Sequence, residues 1–140
     1  MALARLTDEM WHAVCEDALD DYGYLLIIGA SAGQVKKADG SAKVVGVAFK
    51  STVNPITGDA EADKEVAIVR HGQARVKFGT SHAAIAVGDT ICAMAGGLGQ
   101  KQTVTSDMTW AERIIRVGTA LSALALNTAG YVIVDLNLPE

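Results

Sequence analysis

The side chains best able to do chemistry are few and scattered along this 140-residue chain. His12, His71 and His82 stand far apart, and none falls in a zinc-ligand pattern with Cys, Asp or Glu. His71 lies beside Gly72 at a predicted turn, where it reads as a surface turn residue before it reads as a general base. Asp89 sits in Val87-Gly88-Asp89-Thr90, a turn in which Gly supplies an unusual φ and Asp bonds nearby backbone. Cys15 and Cys92 have unrelated contexts and no CxxC, so each reads as a small buried hydrophobe. Gly96-Gly97-Leu98-Gly99-Gln100 superficially resembles a phosphate-binding loop but lacks the Gly-Lys-Ser/Thr ending and a following apolar helix. Asp59, Glu61, Asp63 and Glu65 alternate along a loop and could meet a cation, yet they lack the central Gly and final Glu of an EF-hand. No carboxylate pair, triad or cofactor fingerprint stands out. The expectation is a non-enzymatic protein with no catalytic residue, no cofactor and no metal.

Composition points the same way. Half of the residues are hydrophobic and 20% are charged, enough for a real core and too apolar for a disordered chain. Aromatics make up only 5%, with 14 Gly and 2 Pro, a mixture suited to small-residue β-structure with tight turns. A net charge of −4 and a pI near 5.3 argue against a nucleic-acid binder that works by bulk charge. The apolar run Leu25–Ile28 is far short of the roughly 18 residues a membrane helix needs. Acids stand near the N-terminus where a secretion signal needs bases. Mean hydropathy is +0.25, and such surplus apolar surface in a small chain points to subunit contacts or assembly on a larger surface.

Charge divides the chain into a predicted acidic arm, residues 1–23, and a β-rich body, residues 24–140. The first holds Arg5 against Asp8, Glu9, Glu16, Asp17, Asp20 and Asp21 (1 − 6 = −5); the second carries 11 − 10 = +1. The arm reads as a helix, with Thr7 as N-cap, Asp8 and Glu9 in the first turn and Gly23 at its end. Leu6, Met10 and Val14 recur at i, i+4 and i+8, with Trp11, Cys15 and Ala18 as a second row. A helix of about 13 residues is marginal alone in water, so the stripe Leu6, Met10, Trp11 and Val14 must pack on its own body or on a partner.

From Gly23 onward the period changes to two. Strands are predicted at Tyr24–Ile28, Val44–Phe49, Glu65–Arg70, Gln73–Phe78, Ile91–Ala93, Ile114–Leu121 and Tyr131–Leu138, with a polar edge strand at Gln100–Thr105. Glu65–Arg70 and Gln73–Phe78 flank His71-Gly72 and read as a hairpin. Asp107–Arg113 reads as one helical turn capped by Asp107, and Ser122–Asn127 as either a bulged strand or a short helix. The body also echoes itself. Val45-Gly46-Val47-Ala48-Phe49 matches Val117-Gly118-Thr119-Ala120-Leu121, the two glycines being 118 − 46 = 72 residues apart. Each echo follows an apolar strand and a Gly-Gln segment, and precedes a loop and another strand. Two related halves would build a compact pseudo-symmetric barrel or two-sheet body, with Gly46 and Gly118 at points of close backbone approach.

The order of these motifs resembles a known family. Val45-Gly46-Val47-Ala48, Val66 to Val76 through His71-Gly72, Ile85 to Ile91 through Gly88-Asp89, and the closing Ile115–Leu121 and Gly130–Leu136 look like the pattern of capsid decoration (cement, head-stabilising) proteins of tailed viruses of bacteria and archaea. The resemblance covers roughly residues 24–138 and implies a mainly β fold, a small β-barrel or β-tulip body. It also implies a homotrimer on the outer capsid surface of the virion, made in the host cytoplasm, that binds the major capsid protein and stabilises contacts between its subunits. Nucleic acid and membrane are not implied as partners. The acidic arm has no match in that pattern. The rival readings are a small-molecule or glycan-binding β-barrel module of an oligomeric complex, and a barrel enzyme using His71 or Asp89.

Overall fold

The computed structural model describes residues 10–138. These form β1 (Met10–Cys15), β2 (Leu25–Ile28), β3 (Gln34–Lys37), β4 (Val44–Ala48), β5 (Lys64–Val69), β6 (Gly72–Phe78), β7 (Thr90–Met94), β8 (Leu98–Lys101), α1 (Trp110–Ile114), β9 (Arg116–Ala120) and β10 (Gly130–Leu136). The first sheet, in the order β1-β3-β2-β4-β5, closes into a barrel because β1 pairs antiparallel with β5 and parallel with β3. The second sheet stays open, in the order β6-β10-β9-β7-β8. Add five to every label of the closed ring and the second sheet results, cut between β6 and β8. The internal duplication read from the sequence is thus a duplication of strand order.

The matched glycines mark the same event in each half. Leu26 faces Gly46 and Ile27 faces Val44, which leaves Val45 as an extra residue; Ile91 faces Gly118 and Cys92 faces Arg116, which leaves Val117 extra. A β-bulge bends each strand so that it can pair on both sides of a strongly curved sheet. Neither glycine has room for a side chain. A Cβ on Gly46 would overlap the Ile68 side chain and approach the Val69 carbonyl oxygen; one on Gly118 would overlap the Asp135 carbonyl oxygen.

One core joins the halves and another fills the barrel. Leu25, Ile27, Val44 and Val47 pack against Val76, Phe78, Ile91, Val117, Val132 and Val134 of the second sheet. Leu26 turns the other way, into the barrel, with Cys15, Leu19, Val35 and Ile68. β2 is therefore buried on both faces, which is why Leu25-Leu26-Ile27 is a continuous apolar run and not an alternation. β10 has one buried face, and its Val132 and Val134 alternate with exposed Ile133 and Asp135 as its period-two pattern predicts.

Four local expectations are corrected. The predicted helical arm is, over its described part, strand β1 followed by an irregular segment, residues 16–23, with no helix. Ala13 and Cys15 point into the barrel, His12 is exposed, and six residue pairs join β1 to β5. A spacing of four fits a strand face as well as a helix face, so Met10 and Val14 did not discriminate; Leu6 and Thr7 lie outside the described residues. Next, β5 and β6 do not form a hairpin. Both sides of β5 are taken by β1 and β4, so His71-Gly72 carries the chain from one sheet to the other, with Gly72 at φ +82°. Then α1 is capped by Thr109, whose hydroxyl accepts from Glu112 N–H while the Glu112 carboxylate accepts from Thr109 N–H, so Asp107 is not the cap. Finally, Ser122–Asn127 is neither strand nor helix and is tied down by an Ile85–Leu124 bridge.

Candidate functional site: an apolar groove between the halves

The two halves meet unevenly, and a groove of about 540 Å³ remains where they diverge. Its barrel wall is Val47 and Ala48 of β4, the following Phe49, and Val69 of β5. Its opposite wall is Gln73, Ala74 and Arg75 of β6 with Ile133 of β10, and Tyr22 stands at the rim. Phe49 is 53% exposed and Ile133 36%, so the groove carries apolar surface that this chain's described residues leave open to solvent. The Arg75 guanidinium donates to Tyr22 Oη at 3.2 Å, which fixes a cation on the rim.

On the β6 wall, main chain lacks partners among the described residues. Lys77 N–H donates to Gly23 C=O at 2.8 Å, so the odd-numbered residues of β6 point their amides away from β10. Gln73 and Arg75 share that direction, and no described backbone group bonds the N–H of either. An apolar trough beside a free strand edge is the geometry that accepts an extended peptide.

A polar seam locks the halves beside this groove. Tyr22 and Tyr131 stack with ring centroids 4.8 Å apart. The Asp21 carboxylate accepts from Tyr131 Oη, from Tyr22 N–H and from Lys77 Nζ at 3.0 Å. Burial alone would raise the Asp21 carboxyl, but these donors outweigh it and hold the group below its ordinary value. The same bond, with some burial, pushes the Tyr131 phenol up to about 12. Tyr24 is raised further, by burial and then by its hydrogen bond to Asp20. Every one of these groups is engaged by a partner, so the seam fastens and offers no free acid or base.

The candidates from sequence are placed as follows. Met10 pairs with Val69 at the groove's edge, Trp11 packs on the barrel core with Arg70 5.4 Å from its ring, Val14 pairs with Gln34, and Leu6 lies outside the described residues. Cys15 and Cys92 are buried, and burial raises both thiols. The Asp89 carboxylate accepts from Ala86 N–H and lies 3.6 Å from Lys101 Nζ, a turn fastening. His71 is exposed on the crossover, while both ring nitrogens of buried His82 meet carbonyl oxygens, of Ala83 and Thr128, at 2.7 Å. Gly96 and Gly97, at φ +83° and +73°, make the tight turn between β7 and β8. Among the described residues no three His, Cys, Asp or Glu side chains converge as metal ligands, the Asp59–Glu65 row included. The groove and the seam were missed from sequence: their members come from strands far apart in the chain, Asp21 and Tyr131 being 110 residues apart.

No family model matches the sequence, and no curated protein matches it. Among solved structures, the N base of the head fibre gp8.5 of bacteriophage phi29 superposes with a TM-score of 0.54 at 12% identity, over 94% of this chain and 97% of that one. The fold is thus shared with that structure over nearly the whole of both chains and not in one motif.

Proposed function

We propose that this chain is a structural protein of a phage-type head, a decoration protein held on the outer surface of the icosahedral shell where major capsid subunits meet. The end-to-end match to a head-fibre base carries this reading, and the order of motifs that resembles decoration proteins supports it independently. The physical design agrees. Two bulged sheets share one core and are fastened by the Asp21 seam, which makes a rigid platform; exposed apolar residues at its groove provide contact area. The protein acts without turnover, as a trimer. Three linked copies raise one another's effective concentration at their sites, so modest contacts per copy give strong avidity.

Co-sedimentation tests this. Mixed with undecorated heads of the virus that encodes it, the protein pellets with them to a saturating stoichiometry, and the heads then resist heat or chelators better than bare heads. A protein that stays in the supernatant at micromolar concentration contradicts the reading. Light scattering on the free protein checks the trimer, and a stable monomer at all concentrations removes that part.

A further inference from the structure

We propose that the groove of one chain receives the loop tip around Ile56 of a second copy, so that copies join head to tail. The tip is the apex of the loop 51–63, which is held as a small, rigid hairpin. Val53 bridges Ala60, Asn54 N–H donates to Asp59 C=O, and Gly58 N–H donates to Asn54 C=O. Ile56 N–H donates to Asn54 Oδ1, and at the loop's base buried Thr52 accepts from Leu19 N–H. This hairpin lifts Ile56 clear of the surface, where it is 92% exposed. A large apolar side chain on a tip already ordered loses little freedom on docking. Phe49 and Ile133 offer it an apolar seat in the groove. Charge agrees. Residues 51–63 hold Asp59, Glu61 and Asp63 and no base. At the groove Arg75 is part of the lining, and exposed Lys50 and Arg70 directly follow the lining residues Phe49 and Val69. Against them stand Asp135, opposite Gln73, and Asp21, which Lys77 pairs, so the described rim is positive. Main chain agrees as well. Among the described residues the Ile56 and Thr57 carbonyls accept no backbone bond, and they suit the Gln73 and Arg75 amides of the β6 edge. Tip and groove lie at opposite ends of β5, because the loop runs into Lys64 while Val69 lines the groove. A contact between two different patches is heterologous and closes into a ring when the rotation allows. This contact rests on the trimer proposed above and says what holds it together; it does not depend on head binding.

Light scattering on the full chain, read against concentration, tests it. Ile56→Lys removes the anchor and brings a cation to a positive rim, and its urea midpoint stays that of the native chain because Ile56 is exposed. The variant's assembly half-dissociates at a concentration at least about tenfold higher than the native one. A native trimer matched by an equally tight Ile56→Lys trimer overturns this contact and leaves the trimer standing. A native chain that is monomeric throughout overturns both. If the Ile56→Lys trimer is intact but no longer pellets with heads, the tip meets the shell, and the contact between copies is again overturned. A cysteine pair gives a second readout, since both native thiols are buried. On mild oxidation Ile56→Cys with Gln73→Cys links chain to chain, up to covalent trimers, at least about tenfold faster than Ile56→Cys with Val104→Cys, whose second site is exposed between β8 and α1. Equal rates overturn the proposal, and so does a disulfide between residues 56 and 73 of one chain.

Discussion

The barrel and the open sheet share a strand order but differ at one seam. In the first half β1 closes against β3 through main-chain bonds, with Val14 opposite Gln34 and Cys15 opposite Val35. The equivalent strands of the second half, β6 and β8, do not bond. By register Phe78 stands where Cys15 stands in the barrel, and Gly99 where Val35 stands. The Phe78 ring lies over Gly99, where a Cβ would come within 2.8 Å of Cε1. A large ring fills the gap that a small thiol leaves to backbone pairing. The second half instead borrows bonds from the first: Lys77 N–H donates to Gly23 C=O, and Leu25 N–H donates to Gly97 C=O. Opening one ring is therefore what fastens the two halves together, and it leaves the far end of the β6 edge, beside the groove, without a partner among the described residues.

The comparison can be broken most sharply at its matched glycines. Gly118→Ala sets a methyl against the Asp135 carbonyl, backbone that cannot yield, so we expect a loss of about 5 kcal/mol or more in urea unfolding and little folded protein. Phe78→Ala empties the plug over Gly99 and costs about 4 kcal/mol in the same assay. Gly46→Ala presses hardest on the Ile68 side chain, which can shift in part, and meets backbone, the Val69 carbonyl oxygen, only at 2.8 Å, so it costs less, about 3 kcal/mol. Equal losses at Gly46 and Gly118 would contradict the distinction drawn between them.

The smallest effects sharpen the account of the seam. Asp21 titrates below its ordinary value in the folded chain, so its charged form favours folding. That contribution is complete above about pH 4 and is lost as pH falls through the depressed folded value. Tyr131 behaves in the opposite sense. Its phenol is raised to about 12, so its contribution is complete below about pH 10 and is lost as pH climbs toward the folded value. Stability measured against pH falls at both ends. Asp21→Asn flattens the acid limb, and Tyr131→Phe flattens the alkaline limb. If the native sequence and Asp21→Asn give the same acid limb, the seam does not couple the halves as described.

Much of the architecture was legible because it is written locally. The alternation of Val132 and Val134 with Ile133 and Asp135 and the paired echoes around Gly46 and Gly118 both follow from a few adjacent residues. What failed depended on partners distant in sequence. Met10 and Val14 keep a spacing common to helix and strand, and only the six pairs with β5 decide for the strand. The echo itself held the missing signal, since a strand before β7 demands a counterpart before β2. The His71-Gly72 turn looks like a hairpin until β1 and β4 occupy both sides of β5. Groove and seam had no local signature, because Phe49, Arg75, Ile133, Asp21 and Tyr131 meet only after both sheets form.

The most direct measurement of the role proposed for this chain is a reconstruction of heads of its virus after saturation with the purified protein. The account predicts added density on the outer surface, repeated where major capsid subunits meet, into which three copies of the two-sheet body fit. Heads indistinguishable from the undecorated particle, or density only inside the shell, would contradict it.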